Sequence, residues 1–433
     1  MKRFIEFKNE WLSAIRVGWF LAFRQIRRSS KGTTLLIISI MVLTFLNLVV
    51  VSGLLVGLLS GSFKAFKDSW AADVIITPKS GRDYIENTPQ LVNFIQNHPQ
   101  TQKYSSRLGV NGQLLGTLDD NPAKDERVNS VGARVIGMDP AQEENLTQFS
   151  RFVIEGQPLR SGEEGYILIG ANLIKEYSSF GDVDIPGLDL LRGVKVGDKV
   201  KLTVTDADGN TKSQILIVKG LVKSKVDEVS TRMFMLESEL KRLLPVNQEE
   251  AQSIAVKLNN PDYAQKYVDQ LAVFQGENQA LIQTAEQAIP SFLRDIETTF
   301  NILGNALSSI ALVVASITVF IVIFINAVTR RKFIGIMKGI GISPKAIQTS
   351  YIIQAVFYGL VGSAIGLILT FALLKPYFDA NPIDFPFSDG ILVATPLGSA
   401  IRVLILLAVT LAAGYLPAKL IVRKNTLDSI LGR

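Results

Sequence analysis

Arg330–Lys345 reads RRKFIGIMKGIGISPK, and what flanks it decides the fold. Ile302–Val328 precedes it and Ile347–Leu374 follows it, each an apolar run long enough to cross a bilayer. A hydrocarbon core of about 30 Å takes roughly 20 helical residues, and a helix satisfies its own backbone hydrogen bonds there. Arg330, Arg331, Lys332, Lys338 and Lys345 are positive, with no acidic residue among them. Short connections with such an excess stay on the cytoplasmic side. The stretch 329–346 therefore reads as a cytoplasmic loop between two membrane helices, where a soluble partner can push on the membrane part.

Working outward from it, two more spans appear. Thr33–Leu59 is apolar and carries Gly53, Gly57 and Gly61 at a spacing of four, which suits close helix approach within the chain or between copies. Its long polar leader and lack of a small-residue cleavage site point to a retained helix, not a secretory signal. Pro396–Leu416 is the last span, followed by Lys419, Arg423, Lys424 and Arg433. In the third span, Gly359 with Ser363 and Gly362 with Gly366 are further small-residue pairs. Basic residues at every inner end give one topology: four spans, both termini cytoplasmic.

Before the first span, residues 1–32 read as an amphipathic helix lying in the membrane interface. Phe4, Phe7, Trp11, Ile15, Trp19, Phe23 and Ile26 recur at three or four, with Lys8, Arg16, Arg24, Arg27, Arg28 and Lys31 around them. Between spans 33–61 and 302–328 lies a polar insertion, 62–285, expected to fold as a domain outside the membrane. Ala72–Thr77, Val131–Met138, Gly165–Gly170, Lys199–Thr205, Gln214–Lys219, Arg232–Leu236 and Ser253–Lys257 read as strands, mostly antiparallel. Asp206–Asn210 reads as a hairpin turn, and Pro89–Asn97 and Pro261–Val273 as helices. A two-lobe division is expected around Arg107–Val131 and again near Val222–Val229. Ala280–Phe300 reads as a helical stalk opening the C-terminal part, 286–433, with Pro290 as a kink or a fresh start. The fold class is thus a membrane α-helical protein of four transmembrane helices, with a large mixed α/β extracytoplasmic domain inserted between helices 1 and 2.

Composition agrees. The 433 residues are 48% hydrophobic and 19% charged, too apolar for an ordinary soluble protein and too polar for a chain wholly in lipid. The net charge of +6 sits beside the apolar runs, where topology and anionic lipid account for it without nucleic acid. Cysteine is absent and His98 is the sole histidine, so neither a disulfide framework nor a Cys/His metal site is expected. G-x-x-x-x-G-K-[ST], H-E-x-x-H and G-x-S-x-G are all missing; Gly193–Lys199 has the wrong spacing for a phosphate loop. Asp119-Asp120 and Glu163-Glu164 read as solvated surface. Inside the spans Arg402 is the exceptional ionisable group, expected to snorkel to the outer interface or mark a contact, and Asn47 and Asn326 read as interhelical hydrogen-bond donors and not substrate ligands. Neither catalysis nor an ion pathway is indicated.

RRKFIGIMKGIGISPKAIQTSYIIQAVFYGLVGSAIGLILT resembles the C-terminal signature of FtsX/MacB-type ABC transporter permeases. AGYLPAKLIVRKNTLDSIL is similar to that family's closing segment, and AFRQIRRSSKGTTLLIISI to its entry helix. DVIITP, VIGMDP, FVIEGQPL, YILIGANLIKEY and GVKVGDKVKLTV resemble the MacB-like periplasmic core; the LolC/LolE-like branch is a close alternative. The resemblance implies a dimeric, mechanotransmission permease of a bacterial inner membrane. A separate cytoplasmic ATPase would bind ATP and Mg, a second copy or paralogue would complete the dimer, and this chain would hold no cofactor. A periplasmic adaptor or extracytoplasmic effector is a further partner class. It implies ATPase coupling through Arg331, Lys332, Phe333, Gly335, Lys338, Gly339, Gly341, Ser343, Pro344 and Lys345, and helix packing or dimer contacts at Gly53, Gly57, Gly359, Gly362, Ser363 and Gly366. Phe333 stands where members commonly have glutamate, so one acidic contact of the coupling would be absent. The function implied is export or release of a lipophilic substrate, lipoprotein or peptide. The alternative is a non-transporting regulator that switches an outer hydrolase, whose outer domain is usually smaller than Ser62–Thr299.

Overall fold

A computed structural model describes residues 2–116, 128–178, 189–205, 209–244, 250–275, 280–385 and 388–422. Asp119-Asp120, most of the Asp206–Asn210 turn and the basic tail from Arg423 lie outside these residues, as do the side chains of Phe4, Phe7 and Trp11. The chain forms two compact units. One is built from residues up to Leu59, Asp295–Ile383 and from Gly390 onward; the other from Ser60–Arg294 with Asp384–Asp389.

In the first unit, four helices are long and apolar enough to cross a membrane: Lys31–Ala71, Ser291–Thr329, Pro344–Ala380 and Pro396–Leu420. The third span lies at the centre, packed by the N-terminal helix Lys2–Arg27, the first span and the fourth. The sequence dictates this through small residues. Cβ atoms added at Gly362 and Gly366 would strike Met41 and Phe45 of the first span, and one at Gly359 would press on Leu407 of the fourth. Gly53 and Gly57 leave room for Val393 and Ile391, so all five of these glycines are used in packing within one chain. The second span is different: Ala315, Val319, Ile323 and Ala327 form one buried stripe, whereas Ile310, Val314, Ile317 and Ile321 stay exposed. At about 1.5 Å per residue, its 39 residues reach about 58 Å, close to twice a hydrocarbon core. Asn47 lies in a π-helical turn of the first span, and its Oδ1 is buried without a hydrogen-bond partner among the described residues.

The second unit holds a mixed sheet of strands β1 (Val74–Thr77), β2 (Thr101–Leu115), β3 (Ser130–Met138), β4 (Val153–Gly156), β5 (Tyr166–Gly170), β6 (Lys199–Thr205), β7 (Thr211–Val222), β8 (Arg232–Leu236), β9 (Ser253–Leu258) and β10 (Leu281–Thr284). Pairing runs β2–β3–β8–β5–β7–β6 and back from β6 to β2, so six strands close into a ring. The ring encloses an apolar core that includes Leu108, Val135, Ile169, Leu202, Val218 and Met233. Of the remaining strands, β4 pairs with β7 beside the ring, and β10–β1–β9 extend from the first half of β2 as an open sheet. Helices Thr88–Asn97 and Ala264–Gln275 cover it with Leu91, Ile95, Tyr267 and Leu271.

Arg107 is the changeover. On one edge of β2, β9 pairs as far as Arg107 and β6 takes over from Gly112; on the other edge β3 begins at Arg107. The stretch expected to divide two lobes therefore begins in the middle of a single long strand, Thr101–Leu115, that joins them. The second division, expected near Val222–Val229, falls inside the ring between β7 and β8. The first part of Ala280–Phe300 also needs correction, since Leu281–Thr284 is an edge strand paired with β1; the helix starts afresh at Ser291, the second of the two roles expected of Pro290, whose carbonyl accepts from Leu293 N–H.

At the changeover sits a buried charged cluster. Arg107 Nη2 and Nε donate to the two carboxylate oxygens of Glu143 at 2.6 and 2.9 Å, and Nη1 donates to the Trp70 carbonyl at 2.8 Å. Ser105 and Thr147 hydroxyls donate to the same carboxylate. Burial alone would raise the Glu143 carboxyl; the Arg107 charge and these hydrogen bonds outweigh it and hold it below its ordinary value. The Trp70 ring carries two guanidinium groups, Arg107 at 4.0 Å and Arg232 at 4.5 Å from its centroid. Burial, with repulsion from Arg134 and Arg107, pulls Arg232 down to about 10.

Candidate functional site

The connection between the second and third spans is a helix with engineered-looking ends only in the sense that each end has a sequence reason. Arg330, at φ −99° and ψ 13°, interrupts the long helix, and Arg331–Gly339 forms a nine-residue helix of its own. It stops at Gly341, where φ is +92°, a conformation costly for any residue with a Cβ. Gly341 N–H donates to the Lys338 carbonyl at 3.1 Å and Ile342 N–H to the Met337 carbonyl at 3.0 Å, the paired bonds of a Schellman stop. The third span then starts at once: Ser343 caps it by accepting from Ala346 N–H at 3.2 Å, and Pro344 occupies its first turn. The expected loop is thus a short helix held by a defined stop and start.

This helix has two faces. Ile334 is buried in the core of the membrane unit, Gly335 is buried beside it, and Met337 packs partly against the same core. Lys338 Nζ donates at 2.6 Å to the carbonyl of Val422, at the end of the fourth span. A cation there satisfies a terminal carbonyl and complements the helix dipole, and burial lowers the Lys338 pKa. The opposite face is apolar and open: Phe333 is 66%, Ile336 52% and Ile340 73% exposed. Their spacing of three and four lines them along one side, with Arg331, Lys332 and Lys345 exposed around them. Gly339 lies on the open side, and nothing lies within 4 Å of a Cβ placed there or at Gly341.

Of the residues singled out from sequence, Arg331–Gly339 form the short helix with Gly335 buried, Gly341 lies in its stop, and Ser343–Lys345 cap and open the third span. The apolar stripe is what the charge-based reading missed. Phe333 is the first member of that stripe, where its side chain substitutes apolar area for the expected acidic contact. The signal was present in KFIGIMKGIGI as apolar residues at i, i+3 and i+7. Beside this element, the N-terminal helix buries Ala14 and Ala22 and turns Trp19 and Phe23 outward, each 64% exposed. A Cβ at Gly18 would meet Thr349 of the third span at 2.9 Å, so small residues, and not the aromatic face, make that contact. Ser363 is buried, and Arg402 is half-buried in the fourth span. Among the described residues no cluster of His, Asp or Glu could hold a metal ion.

Residues 305–426 match the family profile described as FtsX-like permease C-terminal. Over 164 residues the chain is 27% identical to the macrolide export ATP-binding/permease protein MacB 1 of Yersinia pestis bv. Antiqua, covering 36% of this chain and 22% of that protein. Over 196 residues it is 23% identical to the macrolide export ATP-binding/permease protein MacB of Bordetella avium, covering 44% of this chain and 28% of that protein. The matched stretches thus span about a quarter of the length of these curated relatives. The crystal structure of the extracellular domain of the noncanonic ABC-type transporter YknZ from Gram-positive bacteria aligns with 49% of this chain and 97% of its own, at 12% identity and a TM-score of 0.29. Residues 305–426 thus match the FtsX-like permease C-terminal family, in a chain with four membrane-length helices and a mixed α/β domain inserted after the first of them, and part of the chain is similar to MacB proteins.

Proposed function

We propose that this chain is the membrane subunit of an ABC transporter, worked by a separate cytoplasmic ATPase that docks on Arg331–Gly339. One observation carries the reading: a short helix outside the spans exposes Phe333, Ile336 and Ile340 in a row while its other face is anchored by Ile334 and Lys338. An apolar stripe with a basic rim, not in lipid, suits a protein groove. The 433 residues contain no phosphate-binding loop motif, so ATP and Mg are assigned to the partner. Both termini are assigned to the cytoplasm with the helix, and residues 60–294 to the outer side. Helices Lys31–Ala71 and Ser291–Thr329 each contribute residues to both units, which supports transmission of ATPase motion to the outer domain without a channel for substrate. Substrate is a lipophilic compound, lipoprotein or peptide met outside the membrane, and a second copy or paralogue completes the assembly.

The test is a pull-down of the chain in mild detergent, comparing wild type with a Phe333→Asp/Ile336→Asp double variant. A stoichiometric ATP-binding subunit retained by the wild type and lost by the variant is expected. Equal capture by both, with intact membrane insertion, overturns the docking site; capture of no ATP-binding subunit by either overturns the transporter assignment.

A further inference from the structure

In the outer unit, β2 and β9 run antiparallel and place Lys103 directly opposite Lys257. Like charges at facing positions of a sheet repel and destabilise it. Neither lysine is relieved by a carboxylate among the described residues: Lys103 Nζ donates to the Asn145 carbonyl at 2.9 Å, and the Lys257 side chain is exposed. Both line a polar cleft of about 250 Å³ that Arg151 also enters. The Arg151 guanidinium lies over the Phe152 ring and donates to a backbone carbonyl, that of Asp68. Two carboxylates line the cleft as well. Asp73 is taken by Lys67 at 2.7 Å and by Leu258 N–H at 2.8 Å, which leaves Asp68. Three cations from three elements therefore face one remaining carboxylate across a volume large enough for a small ligand.

We infer that this cleft is an oxyanion-binding site, which takes the phosphate or carboxylate group of a ligand between Lys103, Lys257 and Arg151. The guanidinium offers a planar fork and the two ammonium groups offer point charges, a combination suited to a compact anion. Bound anion would turn the Lys103–Lys257 repulsion into attraction toward a common centre. The site's residues all belong to the second unit and its test needs no ATPase, so either assignment can fail alone.

The experiment follows thermal unfolding of the full chain in neutral detergent, with inorganic phosphate titrated against chloride at matched ionic strength. A ligand that binds only the folded state raises the melting temperature with concentration. Phosphate stabilises the wild type, and Lys257→Met weakens its apparent affinity by about tenfold, as loss of one charged hydrogen bond does. Without phosphate at low salt the same variant melts above the wild type, because the repulsion is gone. A second arm compares nanodiscs of phosphatidylglycerol with nanodiscs of phosphatidylcholine. Stabilisation by phosphatidylglycerol that depends on Lys257 identifies the oxyanion as a lipid headgroup, and stabilisation by free phosphate alone identifies a water-borne ligand. Equal responses of variant and wild type in both arms overturn the site, as does a variant that melts lower in phosphate-free buffer.

Discussion

The Arg107–Glu143 cluster and the Arg331–Gly339 helix both concentrate positive charge, yet they finish it in opposite ways. At Arg107 three guanidinium nitrogens are each used inside the chain, two of them on Glu143, and the group is only 1% exposed. On the short helix Arg331 and Lys332 face outward beside exposed Phe333 and Ile336, and Lys338 alone is turned inward to a helix-end carbonyl. Where a cation is completed within the chain, losing its partner damages the fold. Where it is left at a surface beside apolar area, the fold does not depend on it, and its loss would be felt only by the partner proposed above.

The comparison is broken most forcefully at Glu143. Glu143→Gln leaves the Arg107 guanidinium buried against a neutral amide and is expected to cost about 3–5 kcal/mol of outer-domain stability, read by denaturant unfolding. The same pair sets an acid limit. A carboxyl whose folded-state pKa is held low contributes stability that is complete above its unfolded value of about 4.3 and drains away as pH falls through the folded value. Acid titration of the wild type should show that loss, and the Gln variant should lack it.

Next comes the outward face. Phe333→Asp with Ile336→Asp should weaken partner binding by about 2 kcal/mol or more, roughly 30-fold, while the melting temperature stays within error. A fall in melting temperature of the size seen at Glu143 would erase the distinction. Two glycines then separate backbone from surface. Gly341→Val forces a β-branched residue to φ near +92° and should cost about 1–2 kcal/mol. Gly339→Val meets open space and improves helix propensity, so any loss of coupling it causes belongs to the partner. The smallest effect is expected at the exception: Lys338→Met removes the bond to the Val422 carbonyl, whose loss should cost about 0.5–1 kcal/mol.

What sequence made legible follows from how local each signal is. The four spans were readable because burial in lipid demands long uninterrupted apolar runs. Arg232–Leu236 and Lys199–Thr205 were readable because Val, Met, Phe and alternation mark a strand without reference to its neighbours. Thr101–Leu115 was not, because Thr-Gln-Lys-Tyr-Ser-Ser-Arg is polar, and what holds it as a strand is pairing with β9 and a buried ion pair supplied from Glu143. Leu281–Thr284 failed for the same reason: an edge strand of four residues is fixed by Val74–Thr77, a partner far away in the chain. At the site, charge and glycine content pointed to the segment, but its helix was hidden by Gly335 and Gly339 within it and by Gly341, which ends it. The bond to Val422 is tertiary and has no local signature.

The ring of β2, β3, β8, β5, β7 and β6 is complete once the chain has reached Leu236, whereas β1 pairs only with β9 and β10, which end at Leu258 and Thr284. Domains made N-terminus first can settle their early parts before later ones exist, and distant pairings form slowly. During synthesis, then, the ring can close while Val74 and Ile76 still lack the neighbours that bury them. The open sheet is finished last, just before Ser291 opens the helix of the second span. Maturation of the outer domain is in this way timed to the delivery of that membrane helix, and a nascent chain stalled before Ser253 would carry a protease-resistant ring with a cleavable β1.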